Sequence, residues 1–120
     1  MTDEMALLVS GQVILEGAQS FSSATVRVRL EDVTQLDVPS VTVAEQVIAR
    51  VSYQAGSQQG VPFCLVGRAP DLQARYGVRV HVDVDGDGFI SVGDWLSTQS
   101  HPVLTDGHPD RVTAQISQVV

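Results

Sequence analysis

Apolar and polar residues alternate with a period of two along most of this 120-residue chain. That is the period of a β-strand with one buried face, because successive side chains point to opposite sides. The clearest case covers residues 76–84. There Tyr76, Val78, Val80 and Val82 are set to face inward, and Arg79, His81 and Asp83 outward. A second such segment covers residues 25–33, with Val26, Val28 and Leu30 on one side and Arg27, Arg29 and Glu31 on the other. Further strands are predicted over about residues 6–15, ended by Gly17, and over 41–51, after Pro39. Three more are predicted over 61–67, 95–104 and 111–119. The alternation in the third strand slips near Glu45, which marks a β-bulge. Pro102 cannot donate to a ladder and marks its strand as an edge. The Gly-, Ser- and Gln-rich stretch 54–60 predicts a loop.

No long helical period is present. Short strands at this spacing with turn punctuation predict one all-β domain over residues 1–120, a seven-stranded antiparallel β-sandwich of the immunoglobulin or transthyretin kind. Tyr76 opens its strand after a short corner starting at Asp71, the pattern of a tyrosine corner whose hydroxyl bonds backward to the chain. The competing reading is an ordinary inward-facing Tyr.

One twelve-residue stretch interrupts this β pattern. Residues 83–94 read Asp-Val-Asp-Gly-Asp-Gly-Phe-Ile-Ser-Val-Gly-Asp. They match the calcium loop nearly position by position. Asp83, Asp85 and Asp87 fall at positions 1, 3 and 5, and Gly88 at the sharp turn of position 6. Phe89 at position 7 offers its carbonyl, Ser91 at position 9 holds a bridging water, and Asp94 closes the loop at position 12. Calcium takes six to eight oxygens, and alternate carboxylates on a tight loop can all aim at one centre. Without a cation they repel, each close pair by roughly 1 kcal/mol in water and about 4 kcal/mol at an effective dielectric of 20. The expected metal ligands are therefore Asp83, Asp85, Asp87, Phe89, Ser91 and Asp94. Calcium is the expected ion, with magnesium the alternative because Asp94 is shorter than the usual Glu. A plain Asp-Gly hairpin turn accounts for one of the two Asp-Gly pairs and leaves the remaining acids unexplained.

The β pattern on both sides changes what this EF-hand-like loop means. An EF-hand needs flanking helices, and here the loop joins two strands. It reads as a structural clamp rather than a calcium-switched element. Trp95, directly after it, is expected to pack against the end of the sandwich.

Charge and composition narrow the function. The chain has fourteen acidic and seven basic residues, a net charge of −7. That argues against nucleic acid or an anionic membrane as partner, since both need a basic patch. All seven basic residues are Arg and they are scattered along the sequence. Cys64 is the single cysteine, so no internal disulfide forms, and its apolar surroundings predict a buried, inert thiol. The start, Met1 to Glu4, is acidic where an export signal is basic, and residues 5–9 are too few to span a membrane. The expectation from these residues is a cytoplasmic chain, or an envelope protein if the sequence has been trimmed.

Several segments are similar to the YbaY/YscW-like lipoprotein family, which includes pilotin-type chaperones of type III secretion. They are Val9-Ser10-Gly11-Gln12-Val13, the run from Ala24 to Val33, Asp37-Val38-Pro39-Ser40, Val43-Ala44-Glu45-Gln46, Val61-Pro62-Phe63 and His101-Pro102-Val103-Leu104. The resemblance implies a small β-sandwich tethered to a bacterial envelope membrane through a lipidated cysteine. The chain departs from it in having no lipobox and in carrying the acidic loop where the family has a short hairpin.

Three functions compete. The first is a non-catalytic, calcium-stabilised protein-binding or scaffold module. The second is a pilotin-like secretion or envelope chaperone that binds a segment of a partner protein. The third, an enzyme, has thin support: His81, His101 and His108, with Asp106 and Asp110 near the last two, and no nucleophile elbow, phosphate loop or zinc-type spacing. One Trp, two Tyr and three Phe also make a poor sugar-stacking platform.

Overall fold

The computed structural model describes residues 5–35, 38–97 and 101–119. Eight strands appear: β1 Ala6–Glu16, β2 Phe21–Asp32, β3 Val41–Tyr53, β4 Gln58–Gly67, β5 Tyr76–Asp83, β6 Trp95–Ser97, β7 His101–Val103 and β8 Arg111–Gln118. The described residues contain no helix. The strand expected over 95–104 is two short strands, and residues 98–100 between them lie outside the described residues. So do the acidic start, residues 1–4, and Asp37 of the Asp37-Val38-Pro39-Ser40 motif. The strand after the Gly-rich loop begins earlier than expected, at Gln58, because β4 pairs with β1 as far as Glu16.

The strands do not form two separate antiparallel sheets. They form one hydrogen-bonded path, β3-β2-β5-β6-β8-β1-β4, with β7 attached to β5. The path is mixed: β1 runs parallel to β8, from Ser10↔Arg111 to Ile14↔Gln115. Periodicity marks which side chains are buried but carries no strand direction, so this pairing was not readable from alternation. Gly11 is the residue that permits it. A Cβ at Gly11 would lie 1.8 Å from the carbonyl oxygen of its partner Val112, so any side chain would push β1 and β8 apart.

The two ends of the path, β3 and β4, come back together, which makes the sheet nearly closed and barrel-like. Across that seam the Cys64 amide donates to the side-chain oxygen of Gln46 at 2.8 Å. The inner side holds a continuous apolar core. Val26, Val28 and Leu30 of β2, Val80 and Val82 of β5, and Val9, Val13 and Leu15 of β1 are fully buried. β4 alternates as strictly, but in the phase that exposes Cys64. The expectation of a buried thiol therefore fails. The run Val61 to Val66 is apolar at almost every position, so composition could not say which residues face out.

The irregularities are local. The β2–β3 register shifts between Leu30↔Ala44 and Glu31↔Thr42, which places the bulge at Val43, two residues before Glu45. The Asp71 amide donates to the Tyr76 hydroxyl at 2.9 Å, so the tyrosine corner is present. Trp95 packs at the end of the core against Phe21 and Tyr53, with ring centroids 6.1 and 6.2 Å away. The Tyr53 hydroxyl accepts from the Gly17 amide at 2.8 Å and donates to the Ser57 carbonyl. This aromatic cluster sits beneath the strand that leaves the acidic loop.

Candidate functional site

β5 and β6 are antiparallel neighbours, with Val82 opposite Trp95 and His81 opposite Leu96. Asp83 ends β5 and Asp94 immediately precedes β6, so the ladder closes the base of the loop and brings its first and last acids together. The C-terminal end of β8 pins the far side. The Gly93 amide donates to the Val119 carbonyl at 3.0 Å, and the Val119 amide to the Asp94 carbonyl at 2.7 Å.

Within this frame the chain winds around its own carboxylates. Asp83 accepts from the amides of Gly86 at 3.0 Å and Gly88 at 2.8 Å, one on each oxygen. Gly88 has φ of 82°, in the left-handed region that a side chain rarely adopts, and this aims its amide back toward Asp83. Asp87 accepts from the Phe89 amide at 2.9 Å. The Ser91 hydroxyl donates to Asp85 at 3.1 Å and lies 3.5 Å from Asp94. The outcome is a convergence. Asp83, Asp85, Asp87 and Asp94 each offer a carboxylate oxygen, and these oxygens all lie within 4.8 Å of one another. Ser91 sits between two of them. The Phe89 side chain points away and is 75% exposed.

The four acids occupy two environments. Asp83 and Asp94 are 0% and 1% exposed, while Asp85 and Asp87 lie in solvent. Asp94 is held by several donors. The Val84 amide meets Oδ1 at 3.0 Å, the Ser91 amide meets Oδ2 at 3.2 Å, and His81 Nε2 stands 2.7 Å from Oδ2. An ionised carboxylate only accepts, so His81 Nε2 carries the proton in this contact. Asp83 also faces the Arg27 guanidinium at 3.6 Å. The Asp87 amide holds the Asp85 carboxyl below the usual carboxylate range, against an opposing desolvation effect and with help from Asp83, Ser91 and the Asp87 side chain.

The burial of two residues here was not readable in the sequence. His81 and Asp83 were expected to face solvent, and both are buried, because the loop folds back over the outer face of β5. The signal was present in part: His81 and Asp83 are two apart on one strand and so share a face. Arg27 joins them because β2 pairs with β5 in the register Arg27↔His81. The remaining histidines stand elsewhere, His101 half-buried on β7 and His108 exposed in the turn before β8.

Comparison with known proteins bears on the fold and the family. The structure resembles that of an alternative pilotin from the type II secretion system of Vibrio cholerae, with a TM-score of 0.74 and 22% sequence identity, over 98% of this chain and 99% of that one. No curated protein matches the sequence. A family model described as type III secretion system lipoprotein chaperone (YscW) matches residues 4–116, nearly the whole chain. The chain belongs to this family of secretion-system lipoprotein chaperones.

Proposed function

We propose that this protein is a non-catalytic, pilotin-like chaperone of a secretion apparatus, which binds a segment of an export component such as a secretin. The observation that carries this reading is the family match over residues 4–116. It favours the envelope chaperone over the calcium-dependent scaffold as the main role, and the envelope over the cytoplasm as the place of action. The family's description as lipoprotein chaperones supports that place; no helix among the described residues is long and apolar enough to cross a membrane.

The surface has features suited to a protein partner. Leu7, Val41, Val43, Val47 and Val66 are exposed on β1, β3 and β4. β3 and β4 are the edge strands of the path, joined across the seam by a backbone-to-side-chain bond from Cys64 to Gln46, and an edge strand can pair its backbone with an incoming chain. The test is to express the secretin of the same organism with and without this chain and measure the yield of assembled secretin in the membrane fraction. A severalfold rise with the chain, together with co-purification of the two, supports the reading. Equal assembly in both cases sinks it.

A second reading concerns the loop and is compatible with the first. The convergence of four carboxylates within 4.8 Å favours a calcium clamp that stabilises the β5–β6 end of the barrel. Asp83, Asp85, Asp87 and Asp94 supply carboxylates, Ser91 a bridging water and Phe89 its carbonyl, with magnesium as the competing ion. At a free calcium concentration 100 times the dissociation constant, binding adds about 2.7 kcal/mol to folding stability. Thermal melting in calcium, in magnesium and in chelator measures this directly, and a midpoint that does not move with calcium removes the clamp.

A further inference from the structure

The seven arginines are scattered in sequence, but three of them meet on one face of the fold. The registers of β3, β2, β5 and β6 align their outer residues in rows. One row reads Val47, Arg27, His81, Leu96, and the next reads Glu45, Arg29, Arg79. A cleft of about 280 Å³ lies over this face, walled on one side by Phe89 and Ile90 of the acidic loop.

This face offers guanidinium donors to an anionic group. Arg29 and Arg79 are directly opposite each other across the β2–β5 ladder. Each arginine also meets one carboxylate, Glu45 at 2.6 Å from Arg29, Glu31 at 3.3 Å from Arg79 and Asp83 at 3.6 Å from Arg27, which offsets its charge, so what an incoming acid meets is the N–H groups that these single contacts leave over. Arg27 Nε is buried with no hydrogen-bond partner. A guanidinium presents five donors in a planar fork that matches a carboxylate, and Arg79 keeps its fork largely in solvent at 62% exposure.

The flanks of the same face are apolar. Val47 and Val43 are exposed on the β3 side, and Phe89 and Ile90 on the loop side. Val47 and Leu96 stand three strand spacings apart, roughly 14 Å at about 4.8 Å per spacing. In an extended peptide, side chains four residues apart are separated by nearly the same distance, at about 3.4 Å per residue. An acid with an apolar residue two positions away on each side therefore fits both the charge and the width. Phe89 is bordered by the exposed acids Asp85 and Asp87, which repel the dense charge of an anionic bilayer far more than the single carboxylate of a peptide seated at the arginines.

We propose that the outer face of β3–β2–β5–β6, with Arg27, Arg29 and Arg79 at its centre and Val47, Leu96 and Phe89 at its margins, docks an extended partner segment of the form apolar-x-acid-x-apolar. This rests on the protein-binding reading above and names its recognition chemistry.

The probe is the amidated peptide acetyl-Leu-Ser-Glu-Ser-Leu, titrated into the isotope-labelled full chain and followed by amide chemical shifts. Three controls accompany it: the Gln-for-Glu peptide, a peptide of the same composition with both leucines on one side, and vesicles of phosphatidylglycerol. The inference expects shifts centred on β2, β5, Leu96 and the 88–90 segment, with affinity at least fivefold weaker for the Gln peptide and for the rearranged peptide. It also expects a tenfold loss in the Arg29→Gln, Arg79→Gln double variant and a severalfold loss in Phe89→Ser; Phe89→Ser keeps its melting midpoint because Phe89 is exposed, and the double variant, which takes away the partner of the buried Glu31, is titrated at a temperature well below its own midpoint. No binding, equal binding of the Glu and Gln peptides, shifts centred on the seam between β3 and β4, or co-sedimentation with the vesicles each overturns it. The secretin assembly assay separates the two levels. If the parent chain fails there, the chaperone reading fails. If the parent succeeds and the double variant succeeds equally, only this docking face is wrong.

Discussion

The acidic loop contains one residue type in two settings. Asp83 and Asp94 are buried at its base; Asp83 meets the Arg27 guanidinium, Asp94 meets the His81 ring, and both accept from backbone amides. Asp85 and Asp87 stand in water at its tip, and their contacts come from within the loop itself. A buried carboxylate without partners costs far more than an exposed one. The base acids are therefore bound into the fold whether or not an ion is present. The tip acids are free to serve an ion without cost to the fold. A ligand motif read from spacing alone treats all four as equivalent, and their surroundings separate them.

The largest effect is expected at Asp94. Asp94→Ala leaves His81 buried beside an empty volume and removes the acceptor of the Val84 and Ser91 amides. Each buried donor left without its acceptor costs about 1–3 kcal/mol, so the loss of three contacts is expected to total at least about 3 kcal/mol. Urea denaturation in chelator measures it, so that no ion contributes. A loss below about 1 kcal/mol shows that the base is not held by this pair and erases the distinction between base and tip.

Asp83→Asn is expected to cost less, about 1–3 kcal/mol. The amide side chain keeps one acceptor oxygen, so either Gly86 or Gly88 loses its bond, and Arg27 loses its counter-charge. The same denaturation series checks it. A cost equal to that of Asp94→Ala would mean that the loop winding around Asp83, not the contact with His81, holds the base together.

Asp85→Asn sharpens the comparison from the other side. In chelator its stability is expected within about 0.5 kcal/mol of the parent, as for an exposed substitution. If the loop is a calcium clamp, the stabilisation by calcium disappears in this variant. Melting the parent and the variant with and without calcium gives four midpoints. A parent that responds to calcium and a variant that responds equally would place the ion elsewhere.

How much of this was legible in the sequence varies with the kind of information required. The inner faces of β2 and β5 were readable because Val26, Val28, Leu30, Val78, Val80 and Val82 alternate cleanly and are buried as expected. The loop spacing and Trp95 as the residue that anchors its exit were readable for the same local reason. What failed depended on tertiary pairing. The parallel β1–β8 contact left only Gly11 as its trace. β6 and β7 are three residues each, too short to show a period or a break. Cys64 lay in a run with no polar phase marker. The burial of His81 and Asp83 depends on a loop that folds back over its own strand. The arginine face needed the β2–β5 register, although the spacing of Arg27 and Arg29 already put both on one side.

The smallest expected effect is a pH dependence at the tip. The Asp87 amide lowers the Asp85 pKa, and the Thr34 hydroxyl and amide lower that of Asp32. A carboxyl whose folded pKa lies below its unfolded value stabilises the fold above the unfolded pKa, near 4. That stabilisation is lost as the pH falls through the folded value. Both groups are exposed and screened by solvent, so each contributes only a shallow acid-side slope, and Asp32→Asn and Asp85→Asn should flatten it slightly. Stability measured in chelator from pH 6 to pH 3 in the parent and in Asp85→Asn therefore isolates the tip. If that substitution removes most of the acid-side loss, the tip holds the fold and the division between the two halves of the loop is wrong.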